Sequence, residues 1–366
     1  MATKQAVRIG VVGAGYWGPK LVHNVREMDE AELVAVCDLS EERLGTLKAQ
    51  YPDLNTITDF RELLRDPSVD ALVIATPIRT HYRIALQALN AGKHVLVEKP
   101  LTASVAESEA LVEAAAAADR RLMVGHTFQY NPAVEKLRDL VQGGALGEVL
   151  YVDCARLNLG LFQGDINVVW DLAPHDIAIL LHVLGSLPVG VSAYGADHVM
   201  KGIDDTAHLT LRFANGVDAH VRLSWLDPHK ERRVSVVGSK KMAVFDDTAA
   251  QKLTVYDRRV ALRGTDLMNR PLFDYHDGAV ETPEIAEVEP LRVQLRHFIH
   301  CIRSGDSPTS DGRVGMEVVR VLEAADASRA ADGRWIELRS APPSLVKVFQ
   351  PLRLESNVDV AIAAAG

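Results

Sequence analysis

The sequence predicts a doubly wound parallel α/β sheet, followed by an α+β domain on an open, mostly antiparallel sheet. Three observations carry that prediction. From Val7 to about Gly125, short apolar segments alternate with helical stretches, the order of a parallel sheet covered on both faces. Beyond Pro132 come segments of partial in–out alternation, joined by turns such as Asn215-Gly216 and Gly238-Ser239, a pattern of antiparallel hairpins. The chain has 366 residues, enough for two domains with sizeable cores.

The strands of the first region read Val7–Val12, Leu33–Cys37, Ala71–Ala75, His94–Val97 and Leu122–Val124. Each is short, apolar and bounded by Gly, Asp or Pro, as strands buried on both faces should be. Helices are expected at Lys20–Glu27, Glu41–Gln50, Tyr82–Ala91 and Ala106–Ala118. A helix over Val134–Val141 leads into the second region. There Val149–Leu157, Ala207–Phe213, Val217–Trp225, Arg233–Val237 and Met242–Asp246 read as strands, interrupted by a helix over Asp171–Leu184. Helices over Leu291–Arg303 and Val314–Ala331 close the fold, and the residues from Pro342 read as a loosely attached tail. The expected division is 1–128, 129–341 and a tail of 342–366, with no internal repeat.

Composition narrows the function classes. Hydrophobic residues make up 48% and charged residues 24%, ordinary for a soluble globular protein. A net charge of −9 argues against a broad nucleic-acid surface. Cys37, Cys154 and Cys301 are far apart and show no CxxC spacing, so reduced thiols and no metal site are expected. The first residues run straight into a strand without a signal-peptide h-region, and no apolar run reaches the ~18 residues of a membrane span, so a cytoplasmic protein is expected.

The chemistry begins at Val12-Gly13-Ala14-Gly15-Tyr16-Trp17-Gly18, a GxGxxG between an apolar strand and a helix that opens on Pro19. Gly13, Gly15 and Gly18 permit a tight turn and a close backbone approach to a pyrophosphate on the helix N-terminus, with Tyr16 and Trp17 between them. Asp38 ends the second strand, 20 residues past Gly18, the usual distance for a ribose ligand of a Rossmann fold. A carboxylate there accepts from ribose hydroxyls and repels a 2′-phosphate. Leu39 and Ser40 offer no Arg to bind that phosphate, so NAD is favoured over NADP.

Two further constellations stand out. Glu98-Lys99-Pro100 ends the fifth strand, and ligands of open α/β sheets gather outside strand carboxyl ends. Two roles are open to Lys99 on spacing alone: steadying a developing alkoxide or passing a proton, and an ordinary solvated loop lysine. Asp171 and His175 are four residues apart, so on a helix they share a face and the carboxylate can orient an imidazole base. On sequence alone a lone histidine is more often a packed or surface one.

Gly13–Gly18, Ala75-Thr76-Pro77 followed by His81, Ala91-Gly92-Lys93-His94 and Glu98-Lys99-Pro100 together resemble the glucose–fructose oxidoreductase / inositol dehydrogenase / rhizopine catabolism (Gfo/Idh/MocA) family over nearly the whole chain. The resemblance implies that Lys99 is catalytic and that Glu98 and the loop from Thr76 and Pro77 to His81 line the cofactor. It also implies that His175 meets Lys99 across the cleft, with Asp171 assisting. Homodimers or homotetramers are implied as well, through the second-domain sheet, whose outer face over Ala207–Asp246 needs cover.

Arg156-Leu157-Asn158-Leu159-Gly160, the run from Trp170 to Asp176, and Gly125-His126-Thr127-Phe128 with Tyr130-Asn131-Pro132 are similar to the sugar-nucleotide 3-dehydrogenase branch of that family. That likeness implies NAD-dependent oxidation of a C3-type ring hydroxyl on a nucleotide-linked sugar. It puts Tyr130, Arg156 and Asn158 on the substrate face, although capping and interface packing stay open to Asn158 and Tyr130. Two departures bear on the substrate. Leu161-Phe162-Gln163-Gly164 lacks basic residues, and Asp274–Glu289 is acidic, which opens an aminoglycoside-like ring as a second substrate class. The same motifs are compatible with a ketoreductase running in reverse in deoxysugar biosynthesis, with a polyol dehydrogenase, and with a non-enzymatic dinucleotide sensor.

Overall fold

A computed structural model describes residues 6–338; the expected tail of 342–366 lies outside them. The first region runs β1 (Val7–Val12), α1 (Gly18–Arg26), β2 (Ala31–Cys37), α2 (Glu41–Gln50), β3 (Thr56–Ile57), α3 (Arg61–Arg65), β4 (Ala71–Ile74), α4 (Ile78–Asn90), β5 (His94–Val97), α5 (Val105–Ala117) and β6 (Leu122–Val124). Its six strands are parallel, in the order β3-β2-β1-β4-β5-β6. This is the doubly wound order of a dinucleotide-binding sheet, whose ligand crevice lies where β1 and β4 diverge.

Both faces of that sheet are covered, so its strands are apolar without alternation. Ile9 and Val11 face one way, against Leu21, Val22 and Val25 of α1 and against Leu295 and Phe298 near the chain's end. Leu72, Ile74, Val95 and Val97 face the other way, in a core that runs on into the second region. Ser40 and Ser104 cap α2 and α5, accepting from the backbone N–H groups of Arg43 and Glu107.

A 3₁₀ turn (Thr127–Tyr130) and α6 (Pro132–Gln142) lead to β7 (Val149–Leu159) and α7 (Val168–Leu184). There follow β8 (Pro188–Ala196), β9 (Thr206–Phe213), β10 (Asp218–Ser224), β11 (Leu226–Gly238), β12 (Met242–Asp246), β13 (Leu253–Thr265) and β14 (Pro271–Glu281), then α8 (Pro290–Ser304), α9 (Gly312–Ala330) and β15 (Ile336–Glu337). The nine strands order as β14-β13-β12-β11-β7-β10-β9-β8-β15. Pairing is antiparallel except between β10 and β7, which makes the sheet mixed. Its inner face packs on α7, the most apolar helix. Asn167 caps α7 by accepting from Val169 and Trp170 N–H, and Gly185 ends it at φ +58°.

Several elements have no clear sequence signal. β8 carries Gly190 and Gly195 because a side chain there would strike Trp335 or Asp204, so its apolar alternation is broken. Beyond about Arg258 the β13–β14 hairpin is exposed on both faces, and neither strand alternates. β3, α3 and β15 are too short to carry a period.

Candidate active site

One cleft of about 1760 Å³ runs from the β1–α1 turn across the carboxyl ends of the parallel strands to α7 and β11. It exceeds the ~300–1,000 Å³ usual for a single small ligand, leaving room for a dinucleotide and a second molecule. Among the described residues, no His, Cys, Asp and Glu group is placed to hold a metal ion, and no helix is long and apolar enough to cross a membrane.

At the cofactor end, Gly13 has φ +107°, and a side chain on it would collide with the carbonyl of Ala75. Gly18 lies equally close to the carbonyl of Gly13, whereas nothing lies within 4 Å of the Cβ position of Gly15. Two glycines are therefore needed for the turn, and the third leaves open space on the cleft side. Asp38 accepts from the N–H of Ala14 at 2.7 Å and of Ser40 at 2.8 Å, which fixes its carboxylate at the end of β2. The expectation that no Arg lies near it needs correction. Arg43, one turn into α2, brings its guanidinium to 3.8 Å from Asp38. Tyr16 is exposed, Trp17 meets its ring edge-on, and the Lys20 ammonium lies 4.5 Å from both ring centroids.

Thr76, Pro77, His81, Glu98 and Lys99 line the same cleft. His81 is buried, with Nδ1 2.9 Å from the Pro100 carbonyl and Nε2 2.7 Å from the Thr76 carbonyl. Each ring nitrogen faces a carbonyl, and the imidazole, kept neutral by burial, donates to one of the two, so that His81 acts through the turns it packs between. Glu98 is buried behind Lys99, and one carboxyl oxygen has no partner among the described residues. Burial raises its pKa to about 7, against the pull of the Lys99 charge. The glycine cradle, the anchored Asp38 and the unpartnered Glu98 oxygen fit a dinucleotide, with the carboxyl oxygen free to accept from its amide end.

At the substrate end, Lys99 Nζ donates to the Asp171 carbonyl at 2.7 Å and to its carboxylate at 3.3 Å. The other Asp171 oxygen accepts from Trp225 Nε1 at 3.0 Å. The expected Asp171–His175 pairing is therefore corrected. They share a face of α7, but the carboxylate is turned to Lys99 and Trp225, because a cation and an indole N–H both need an acceptor. His175 has no hydrogen bond among the described residues, and its Nδ1 is buried. Burial first, then the charges of Lys99, Arg156, His126 and Arg232, hold its imidazole well below the ordinary range. His126, behind it, is pushed down to about 3 by burial and Lys99.

Asn158 lines the cleft beside Gly160, and Phe162 packs against Trp225 at 5.3 Å. Arg156 also borders the cleft but is buried, donating Nε and Nη2 to Asp176 at 2.7 and 2.9 Å. Two of its five N–H donors are thus committed to Asp176, an ion pair that the expected substrate role did not include. Tyr130 lies outside the cleft, 1% exposed, with its hydroxyl 2.8 Å from Ser310 Oγ and accepting from the Ser310 N–H. It packs the core rather than the substrate face.

The acidic stretch is also away from this end. Asp274 and Asp277 pair with Arg263 and Arg258 along the β13–β14 hairpin, and of Asp274–Glu289 only Glu289 borders the cleft. Instead Lys230 and Arg232 of β11 border it, Arg232 paired with Asp247 at 3.2 Å. Sequence reasoning missed Trp225, Asp176 and Phe128. Asp176 carries a signal: a carboxylate within an otherwise apolar helix face demands a buried partner.

Residues 7–126 match the model of the oxidoreductase family Gfo/Idh/MocA, described as an NAD-binding Rossmann fold. Residues 134–244 match that of the Gfo/Idh/MocA C-terminal domain. The chain is 30% identical over 342 residues to UDP-N-acetylglucosamine 3-dehydrogenase of Acidithiobacillus ferrooxidans, covering 89% of this chain and 97% of the relative. It is 28% identical to myo-inositol 2-dehydrogenase of Thermotoga maritima, over 88% of this chain and 96% of the relative. Among solved structures, GenD2 from gentamicin A biosynthesis, in complex with NAD, aligns with a TM-score of 0.78 at 25% identity, covering 93% of this chain and 98% of that one.

Proposed function

The chain belongs to the Gfo/Idh/MocA family of NAD-binding oxidoreductases, and from that premise we propose that it oxidises a C3-type secondary hydroxyl of a nucleotide-linked sugar ring to the ketone. It is an NAD-dependent dehydrogenase of the sugar and polyol type. The observation that carries the finer reading is the convergence of Lys99 and His175 in one cleft with the Gly13–Gly18 turn. In this reading residues 1–128 hold the cofactor. Residues 129–341 hold the sugar and associate as a homodimer or homotetramer through the outer face of the nine-stranded sheet.

NAD, when bound, supplies the hydride acceptor. His175 takes the hydroxyl proton, since its imidazole is neutral and no protein group occupies its nitrogens among the described residues. Lys99 gives two of its three N–H donors to Asp171 and keeps one for the substrate oxygen as it becomes an alkoxide. Asp171 aims Lys99 and is itself aimed by Trp225. Lys230, which borders the cleft, supports an anionic, nucleotide-linked substrate, whereas the charge of Arg232 is already met by Asp247. The likeness to GenD2 favours the second reading, an aminoglycoside-like ring. The acidic hairpin lends that reading no support, because its carboxylates are paired elsewhere.

The test is incubation with NAD and a panel of nucleotide sugars and aminoglycosides, following NADH absorbance and product mass. Oxidation of a UDP-hexosamine by two mass units, with NADH formed, is expected. Reduction of NAD only by aminoglycosides would move the substrate to the second reading, and none with any compound would leave a dinucleotide sensor.

A further inference from the structure

We propose that Phe128, clamped by the buried Arg156–Asp176 ion pair, positions the His175 ring for proton transfer. The inference rests on the reading of His175 as the base. A histidine base is ordinarily oriented by a hydrogen bond at its second nitrogen. His175 has none: its Nδ1 is buried without a partner, and the carboxylate one turn earlier is turned to Lys99 and Trp225. Something other than a hydrogen bond must set the ring's rotation.

Packing supplies it. The Phe128 ring meets His175 edge-on, with centroids 5.3 Å apart and planes at 75°. The guanidinium of Arg156 lies 4.7 Å from the Phe128 centroid, within cation–π range. Arg156 is held in turn by two hydrogen bonds to Asp176, the residue that follows His175 on α7. The chain of contacts therefore closes on itself: α7 to Arg156 on β7, to Phe128 on the 3₁₀ turn, and back to α7. A buried ion pair contributes little net stability compared with apolar residues of the same volume, so its geometry is the better account of its presence. The pair also has an electrostatic consequence. The cations facing His175 are Lys99, just past β5, and Arg156 and Arg232 from the sheet, while His126, between β6 and the 3₁₀ turn, is itself kept neutral by burial. Loss of Arg156 removes one of them, and loss of Phe128 admits solvent. Both changes make the imidazole easier to protonate.

The experiment uses the full chain saturated with NAD and ¹⁵N-labelled at histidine, with His175→Asn identifying the His175 signals. Wild-type His175 is expected to remain a single neutral tautomer as pH falls from about 8 through ~6.5, the ordinary histidine value. In Phe128→Leu, which keeps apolar bulk, and in the double variant Arg156→Met/Asp176→Leu, which removes both charges, mixed tautomers are expected. The protonation constant should also rise by about threefold or more, half a pH unit. If folded Phe128→Leu shows the wild-type tautomer and midpoint, the proposal is overturned; this variant decides alone should the double variant fail to fold. The reading beneath it fails separately: wild-type sugar oxidation by His175→Asn would remove the base while leaving the ring's packing as found.

Discussion

The two ends of the cleft are built on different principles. At the cofactor end, function lies in the backbone. Gly13 stands at φ +107° with no room for a side chain, and Asp38 is fixed by the backbone N–H groups of Ala14 and Ser40. At the substrate end, side chains are held by other side chains from separate elements: Lys99 by Asp171, Asp171 by Trp225, Arg156 by Asp176. Local geometry tolerates little substitution and is readable from a short motif. Long-range pairing allows many solutions, and spacing along one helix does not choose among them.

The largest effect expected from breaking the substrate end is that of His175→Asn, which should lower turnover by about two to four powers of ten with NAD still bound. The pH–rate profile sharpens this. The base acts when neutral, and its folded pKa is depressed, so wild-type oxidation should hold steady as pH falls through ~6.5 and decline only at lower pH. An acid limb centred at the ordinary histidine value would mean that burial and the surrounding cations do not act as described.

Next is Lys99→Ala, with a loss of about a hundredfold or more in kcat and an unchanged Kd for NAD by calorimetry. A matching loss of NAD affinity would reassign Lys99 to the cofactor end. At that end, NAD should bind more tightly than NADP by at least about tenfold, ~1.4 kcal/mol, because Asp38 repels a 2′-phosphate. Arg43 at 3.8 Å is the residue that would narrow the gap, so Asp38→Asn should do so measurably. Equal affinities for the wild type would show that Arg43 outweighs the carboxylate.

The smallest effect belongs to Tyr130, outside the cleft. Tyr130→Phe leaves the buried Ser310 N–H without its acceptor, while the Ser310 hydroxyl keeps the Val124 carbonyl, and should cost about 1–3 kcal/mol in denaturant unfolding with KM unchanged. A raised KM with unaltered stability would return Tyr130 to the substrate face.

The motif-bearing parts of the protein were legible in the linear chain. Apolar strands alternating with helices dictate a parallel sheet, and a glycine turn followed by an acid 20 residues on dictates a dinucleotide site, because each rests on local conformation and chain order. That Lys99 and His175 belong to one site was legible through resemblance, not through spacing. Only the tertiary structure decided who holds whom. Asp171 turned from His175 to Lys99 because a part-buried ammonium and an indole N–H competed for its oxygens. Arg156 was tied to Asp176, since neither charge could be buried alone. Tyr130 went to the core because Ser310, 180 residues away, offered its hydroxyl a partner. Such choices depend on which polar groups meet once the chain is folded, and no periodicity in the sequence encodes that.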